Sequence, residues 1–379
     1  MQILKSFSTV GLYTIGSRLI GFVRTIMTAS LLGATGISDA LEIAIKIPSF
    51  LRRLFAEGAF NAAFIPLFAS RLSGDSKAEA KSFAEEIFSL LAITLAVLIV
   101  LVEIFTPQVM HMFVPGFAKT PERMQYAIDF TRYTFPFIFF ISITALYGGI
   151  LNSFDKFASV ASSPMIGNIS IIAVVLGLAS QMDTAGHSFA LAITVCGLVQ
   201  LLWVWVPAYR LGMALKLRMP RISNNTREFL KKFGPAASSS GVVQINILIG
   251  AIIASFLPSG GVSYLSYAER LNQLPLSVIG TAAATALLPP LSKLIRTKDT
   301  QRSHQAQTDT IEACLLLALP ATIGLITLAH PLITLLFERK AFTPEASLAT
   351  SYALMAFASG LPAYIMIKVF SSIFFAHQD

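Results

Sequence analysis

The sequence of 379 residues contains few charged side chains and almost no cysteine. Asp, Glu, Lys and Arg make up 13% of the chain, about half of the roughly 25% that is usual in soluble domains. Hydrophobic residues make up 55%, and the mean hydropathy is +0.70. This balance excludes an ordinary soluble protein. Cys196 and Cys314 lie far apart in apolar segments, so we expect neither a disulfide framework nor a cysteine metal site.

Residue patterns that are typical of enzymes are also missing. The sequence has no metal-ligand spacing, no glycine-rich phosphate loop and no nucleophile elbow, and its five histidines are scattered. We therefore expect no catalytic residue, no metal and no cofactor. A membrane enzyme acting on polyprenyl diphosphates is the rival hypothesis, but it would need a cluster of His, Asp or Glu side chains that the sequence does not show.

Long apolar runs are abundant instead. Each of ten runs reaches the roughly 20 helical residues that cross a hydrocarbon core about 30 Å thick. The sequence thus predicts an all-α polytopic membrane protein with about ten transmembrane helices. The runs cover residues 7–32, 40–69, 87–113, 128–150, 159–180, 188–208, 233–257, 263–290, 310–336 and 347–375.

Basic residues in the loops predict the orientation of the chain. Loops on the side of the N-terminus carry fifteen Lys and Arg residues, whereas the opposite loops carry only Lys119, Arg123, Arg339 and Lys340. Cytoplasmic loops are enriched in these residues, so we expect a cytoplasmic N-terminus in a bacterial inner membrane. The net charge of +8 then reflects topology and contact with anionic membrane lipids, and no nucleic acid partner is needed to explain it.

A basic stretch, 209–232, divides the chain. We expect it to be a cytoplasmic linker with an amphipathic helix, between an N-lobe of six spans (1–208) and a partial C-lobe of four (233–379). A shift of 222 residues pairs Gly58 with Gly280, and an offset of six spans predicts two parallel-repeat lobes around a central cavity. Four spans where six would complete the repeat lead us to expect a fragment or a shortened chain.

Arginines inside the predicted spans are the most informative residues, because a charge at the bilayer centre costs about 2.5–3.5 kcal/mol or more. Arg18 and Arg24 lie in the first span, Arg52 in the second and Arg270 in the eighth. A guanidinium group binds phosphate oxygens in bidentate geometry, so the set predicts an anion site between the lobes. The alternative for each arginine is snorkelling to the headgroups, or pairing with a carboxylate such as Asp39.

Three stretches carry a resemblance to a known family: SRLIGFVR at 17–24, the segment from SDA to FIP at 38–66, and YAERLNQLPLSVIG at 267–280. On these the chain resembles the MurJ (MviN) family of lipid II flippases, in the multidrug/oligosaccharidyl-lipid/polysaccharide exporter superfamily. The resemblance implies fourteen helices, a central cavity and flipping of the undecaprenyl-diphosphate-linked peptidoglycan precursor. Relative to it, the second lobe of this chain is incomplete.

The resemblance also assigns residues. It implies that the diphosphate of the substrate is bound by Arg18, Arg24, Arg52 and Arg270. It implies gating or charge partners at Ser17, Asp39, Glu57 and Glu269. Two features depart from the family: Thr25 stands where an acidic residue is frequent, and the last four helices of the family are absent. Some members of the family bind sodium in the second lobe. Because the span 233–257 has no carboxylate and the partner helices are missing, we expect no metal here.

The combined expectation is a monomeric flippase that carries lipid II from the cytoplasmic to the periplasmic leaflet by alternating access. Two alternatives stay open. One is a related exporter of another polyprenyl-linked glycan or of drugs, although an exporter of cationic drugs would favour carboxylates over arginines in its cavity. The other is an inactive, truncated chain.

Overall fold

The computed structural model describes residues 2–55, 58–74, 76–219, 223–281, 287, 291–294, 297 and 299–377. These residues are mostly helical and contain no strand, which confirms the all-α prediction. The first seven helices are α1 (Gln2–Leu32), α2 (Gly36–Phe55), α3 (Ala59–Gly74), α4 (Lys77–Phe113), α5 (Pro121–Thr134), α6 (Phe137–Ser153) and α7 (Phe157–Leu178). The others are α8 (Ala185–Arg210), α9 (Asn224–Ser255), α10 (Gly261–Pro275), α11 (Thr300–Thr327), α12 (Ala329–Phe337), α13 (Pro344–Ser359) and α14 (Leu361–His377).

Within these described residues, six segments are long and apolar enough to cross a membrane. A seventh is the pair α13 and α14, which is bent by 41°. The chain is therefore a membrane protein with several spanning helices, while the number of ten spans stays a prediction. The six segments are Val10–Leu32, Lys77–Phe113, Pro121–Ser153, Phe157–Leu178, Ala185–Arg210 and Thr300–Thr327.

Several of the predicted apolar runs contain two helices rather than one. The run 40–69 holds α2 and α3, and between them Gly58 has a positive φ of 49°, a backbone conformation that glycine adopts without steric cost. In the run 128–150 the break falls at Pro136, which lacks the amide hydrogen needed to continue the hydrogen bonding of α5. Apolar periodicity locates the helices but does not show such breaks.

The helices form two compact units. Unit 1 consists of 1–28 and 35–259. Within it α8 packs against α6 and α7, and α9 packs along α3. A ladder of phenylalanines on α3 fixes this core: Phe64 stacks on Phe60, Phe68 and Phe83 with ring centroids 5.4–5.7 Å apart, and all four are fully buried.

The linker that follows α8 is extended rather than helical. Its backbone amides donate hydrogen bonds to side chains of α4. The Lys216 amide donates to Glu85 Oε1 at 3.3 Å, and the Arg218 amide donates to Ser89 Oγ at 2.8 Å. Residues 213–219 therefore form no amphipathic helix, and the helical part of the predicted linker is the beginning of α9. There the Ser223 hydroxyl accepts a hydrogen bond from the Thr226 amide at 3.2 Å and caps the helix.

Unit 2 consists of 29–34 and 260–379, so it includes the end of α1. The Ser30 carbonyl accepts a hydrogen bond from the Ala341 amide at 3.2 Å, and the Gly33 carbonyl accepts one from Tyr267 Oη at 3.2 Å. A Cβ on Gly33 would lie 2.2 Å from the Ala341 carbonyl oxygen, so only glycine fits. By packing, the chain thus divides after Ser259, whereas a lobe boundary at the linker stays a prediction.

Candidate functional site

Unit 1 contains three of the four predicted arginines. Arg24 on α1 and Arg52 in the last turn of α2 are both half-buried. Arg18 lies on α1 with its side chain exposed. Arg24 and Arg52 are thus half-buried cations on different helices of unit 1, and a shared anion site stays a prediction.

Thr25, the neighbour of Arg24 in α1, has its polarity satisfied within the helix. The side chain is buried, and its hydroxyl donates to the Gly21 carbonyl at 3.1 Å.

Asn168 on α7 is a polar contact of this face that the sequence analysis missed. Its Nδ2 donates to the Ser17 carbonyl at 3.3 Å. A Cβ on Gly21, one turn further along α1, would lie 3.3 Å from the same atom. Ser17, Gly21 and Arg24 share one stripe of the helix, so Asn168 borders the stripe that carries Arg24. In the sequence, Asn168 could have been noticed as the one carboxamide side chain of α7.

Unit 2 carries the remaining predicted pair on α10. Arg270 is half-buried, whereas Glu269 is exposed and accepts a hydrogen bond from Gln273 Nε2 at 3.0 Å. The helix is fixed by Tyr267, whose buried ring lies 5.3 Å from Phe337 and 5.5 Å from Phe342. Glu57, the last predicted partner, lies outside the described residues.

Asp39 has a partner that the sequence analysis missed. Its Oδ2 accepts a hydrogen bond from Arg123 Nη2 at 2.6 Å, and the two side chains are 0% and 4% exposed. Arg123 Nη1 donates to the Leu257 carbonyl at 3.0 Å, and the guanidinium carbon lies 3.7 Å from the centre of the Phe117 ring. We call Asp39, Arg123, Phe117 and the Leu257 carbonyl the α5 charge cluster.

Helix ends explain why these charges meet. At the start of α2 the Thr35 amide donates to the Ser38 hydroxyl, and the Ser38 amide donates to the Thr35 hydroxyl. Asp39 therefore lies in the first turn of α2, where the helix dipole favours an anion. α5 begins at Pro121, so Arg123 lies in the first turn of that helix, where the helix dipole disfavours a cation. The Asp39 carboxylate and the carbonyl of Leu257, just beyond the end of α9, compensate for this unfavourable position.

A second set of ion pairs surrounds the linker, and we call it the linker charge cluster. Arg218 Nη2 lies 2.5 Å from Glu85 Oε2, and Arg71 Nη2 lies 2.8 Å from Glu228 Oε2. Lys232 Nζ lies 3.9 Å from the other oxygen of Glu228. Unlike the α5 cluster, each of these pairs has at least one partner in solvent.

A groove of about 520 Å³ lies between α7 and α8. Its walls are apolar and include Leu202 and Trp203, and Arg210 lies at the end of α8. The indole of Trp203 donates its hydrogen to Ser162 Oγ at 2.9 Å, so it presents only its apolar ring to the groove.

Comparison with known proteins connects this geometry to a family. The family model of the lipid II flippase MurJ matches residues 28–379. A protein of Rickettsia prowazekii (strain Madrid E), described as "Probable lipid II flippase MurJ", is 37% identical over 379 residues, which are 100% of this chain and 74% of the relative. A protein of Rhizobium meliloti (strain 1021) with the same description is 38% identical and covers 100% and 71% of the two chains.

Solved structures agree. The structure described as "Lipid II flippase MurJ, inward closed conformation" matches with a TM-score of 0.81 at 28% identity, over 98% of this chain and 76% of that one. An inward-facing multidrug resistance transporter of the MATE family matches with a TM-score of 0.75 over 95% and 81% of the chains, but at 16% identity it shows the fold alone. This chain belongs to the lipid II flippase MurJ family.

Proposed function

We propose that the protein is a lipid II flippase that moves its lipid-linked substrate across the bacterial inner membrane by alternating access. Membership of the family over residues 28–379 carries this proposal. It is supported by the names of relatives that are 37% and 38% identical to this chain over its full length. Translocation needs no bond to be made or broken, so the protein acts as a transporter and not as an enzyme.

The diphosphate of the substrate is the group that Arg18, Arg24, Arg52 and Arg270 would bind. Guanidinium groups are permanently charged and match the geometry of phosphate oxygens, and a low-dielectric surrounding strengthens the attraction. Arg24 and Arg52 are both half-buried cations of unit 1, which supports an anion site there. Ser17, Asp39, Glu57 and Glu269 would tune or gate it, and the polyprenyl tail would stay in lipid.

Anionic phospholipids are the second partner that we propose, at the cytoplasmic surface. The linker and its neighbours concentrate basic residues there, and each Lys or Arg near an anionic leaflet contributes about 1 kcal/mol. Arg210 is exposed beside the apolar groove between α7 and α8, which suits a lipid with a negative headgroup and an acyl chain. The same basic residues support a cytoplasmic N-terminus.

Genetic complementation tests the proposal. The chain is expressed in cells depleted of their own lipid II flippase, and both growth and exposure of lipid II on the outer leaflet are measured. We expect the unmodified chain to restore both. Substitution of Arg18, Arg24, Arg52 or Arg270 by Gln should abolish the rescue, whereas Arg132→Gln on α5, which neutralises an exposed cation, should not.

The outcomes separate the alternatives. Rescue by all four neutral variants would show that the arginines bind no substrate. Failure of the unmodified chain, despite correct insertion in the membrane, would remove the flippase proposal and leave an inactive chain or an exporter of another polyprenyl-linked glycan or of drugs.

A further inference from the structure

Burial makes the α5 charge cluster costly. Asp39 and Arg123 are almost completely inaccessible to water, and each charge loses several kcal/mol of hydration on burial. A well-packed apolar pair of similar size would give equal or greater stability. Stability of the fold alone therefore does not explain why charges occupy this position.

The cluster joins the ends of three helices in unit 1: the start of α2, the start of α5 and the end of α9. Next to it the backbones touch directly. The Gly116 amide donates to Ser255 Oγ at 3.1 Å, and a Cβ on Gly116 would lie 2.4 Å from the Ser255 carbonyl oxygen. The end of α9 is thus held in part by hydrogen bonds, from Arg123 to the Leu257 carbonyl and from the Gly116 amide to Ser255, which can break and re-form.

Unit 2 contains a similar helix start without an arginine. The sequence Thr-Pro-Glu that starts α5 at 120–122 recurs at 343–345, at the start of α13. There too the preceding loop receives the end of a helix, through the Ala341 amide and the Ser30 carbonyl of α1. The position that corresponds to Arg123 is Ala346, which is buried. A small apolar side chain is therefore compatible with this helix start, and the helix start of α5 does not by itself require the Asp39–Arg123 ion pair.

We propose that Arg123 is a positioning residue for translocation: through Asp39 and the Leu257 carbonyl it holds the end of α9 against α2 and α5 and keeps this end of unit 1 closed. The inference rests on the proposed flippase function and extends it to a residue outside the predicted site. Opening this end requires the Arg123 contacts to break, so the pair sets the balance between closed and open states.

Thiol labelling measures this closure without relying on transport. Ser255 is fully buried beside the cluster, so in the full-length chain a cysteine in its place, Ser255→Cys, reports opening through reaction with a membrane-impermeant maleimide. The chain without the added cysteine gives the background from Cys196 and Cys314, which are both buried. Lipid II exposure is measured in the same cells.

We expect Arg123→Gln and Asp39→Asn to speed labelling at least about tenfold, because removing one partner of a buried pair costs more than a tenfold change of population requires. Both should lower lipid II exposure, and Arg123→Lys should restore part of the closure. Lys119→Gln is the matched control, because it removes an exposed cation 6.0 Å from the Phe256 ring at the same end. Its labelling should stay unchanged.

Two results would decide against the inference. Unchanged labelling in both variants would show that the pair does not hold this end closed. Faster labelling with normal lipid II exposure would reduce Arg123 to a structural residue and leave the flippase function intact. If Arg123→Gln does not fold, the double variant Asp39→Asn/Arg123→Gln, which leaves no unpaired charge, takes its place. If the unmodified chain exposes no lipid II, the flippase proposal itself falls, although labelling still reports the closure.

Discussion

The two charge clusters of unit 1 differ in how much water reaches them. In the α5 cluster both Asp39 and Arg123 are buried, whereas in the linker cluster Arg218 is 51% exposed beside a buried Glu85, and Glu228 is 47% exposed beside Arg71. Solvent screens an ion pair and also hydrates a partner that is left alone. The same chemical pairing should therefore matter strongly in one cluster and weakly in the other.

The largest effect is expected for Asp39→Ala. It leaves the guanidinium of Arg123 buried without its carboxylate, and such a loss costs about 3–5 kcal/mol. The thermal unfolding midpoint in detergent should fall clearly. The double variant Asp39→Asn/Arg123→Gln should lose less than the sum of the losses of Asp39→Asn and Arg123→Gln, and a loss equal to that sum would mean that the two side chains are not energetically coupled.

Gly116→Ala should come next. The new Cβ would lie 2.4 Å from the Ser255 carbonyl oxygen and 2.5 Å from its carbon, so backbone must shift, at a cost of about 1–3 kcal/mol. Gly74→Ala is the control near the linker cluster, because nothing lies within 4 Å of its added Cβ. If both variants unfold at the same temperature, the close contact between the loop and α9 does not exist in solution.

An intermediate effect is expected for Arg218→Gln. Glu85 stays buried and keeps its hydrogen bond from the Lys216 amide, so the loss should be about 1–3 kcal/mol, the usual cost of an incompletely satisfied buried group. The linker should also be cleaved faster by protease. Arg210→Gln, which removes a nearby exposed cation, should leave the cleavage rate unchanged.

The smallest effect is expected for Glu228→Gln. Its partners Arg71 and Lys232 lie at 2.8 Å and 3.9 Å, but exposed pairs contribute about 1 kcal/mol or less. Added salt should weaken this contribution further. A loss as large as that of Asp39→Ala would overturn the contrast between the two clusters.

The sequence predicts one cluster much better than the other. The excess of Lys and Arg along 209–232 is visible in the sequence and predicts a polar stretch, although the carboxylate partners of these residues do not follow from it. Arg123 is one of only four basic residues in the opposite loops. The residues around it do not identify Asp39 as its partner, because the two are 84 residues apart in the chain. Long-range pairing of single charges depends on how helices pack, which periodicity does not determine.

The same distinction applies to the candidate site. Apolar runs and embedded charges identify the helices and pick out Arg24 and Arg52, because charge in an apolar run is visible in the sequence alone. Asn168 is harder to find, since a neutral amide in a span is common and its contact with Ser17 arises only when α1 packs on α7. Breaks such as the one at Gly58 are also hidden, because a glycine in a span equally serves close helix packing.

The end of α1 has a consequence for how the protein is made. This helix leaves the ribosome well before its partners, because the Ser30 carbonyl bonds to the amide of Ala341 and the Gly33 carbonyl bonds to Tyr267. Those residues are synthesised much later, and contacts between distant parts of a chain form late. The end of α1 thus completes these hydrogen bonds only after residues 267 and 341 have been synthesised, and assembly of the chain has to keep this end accessible until then.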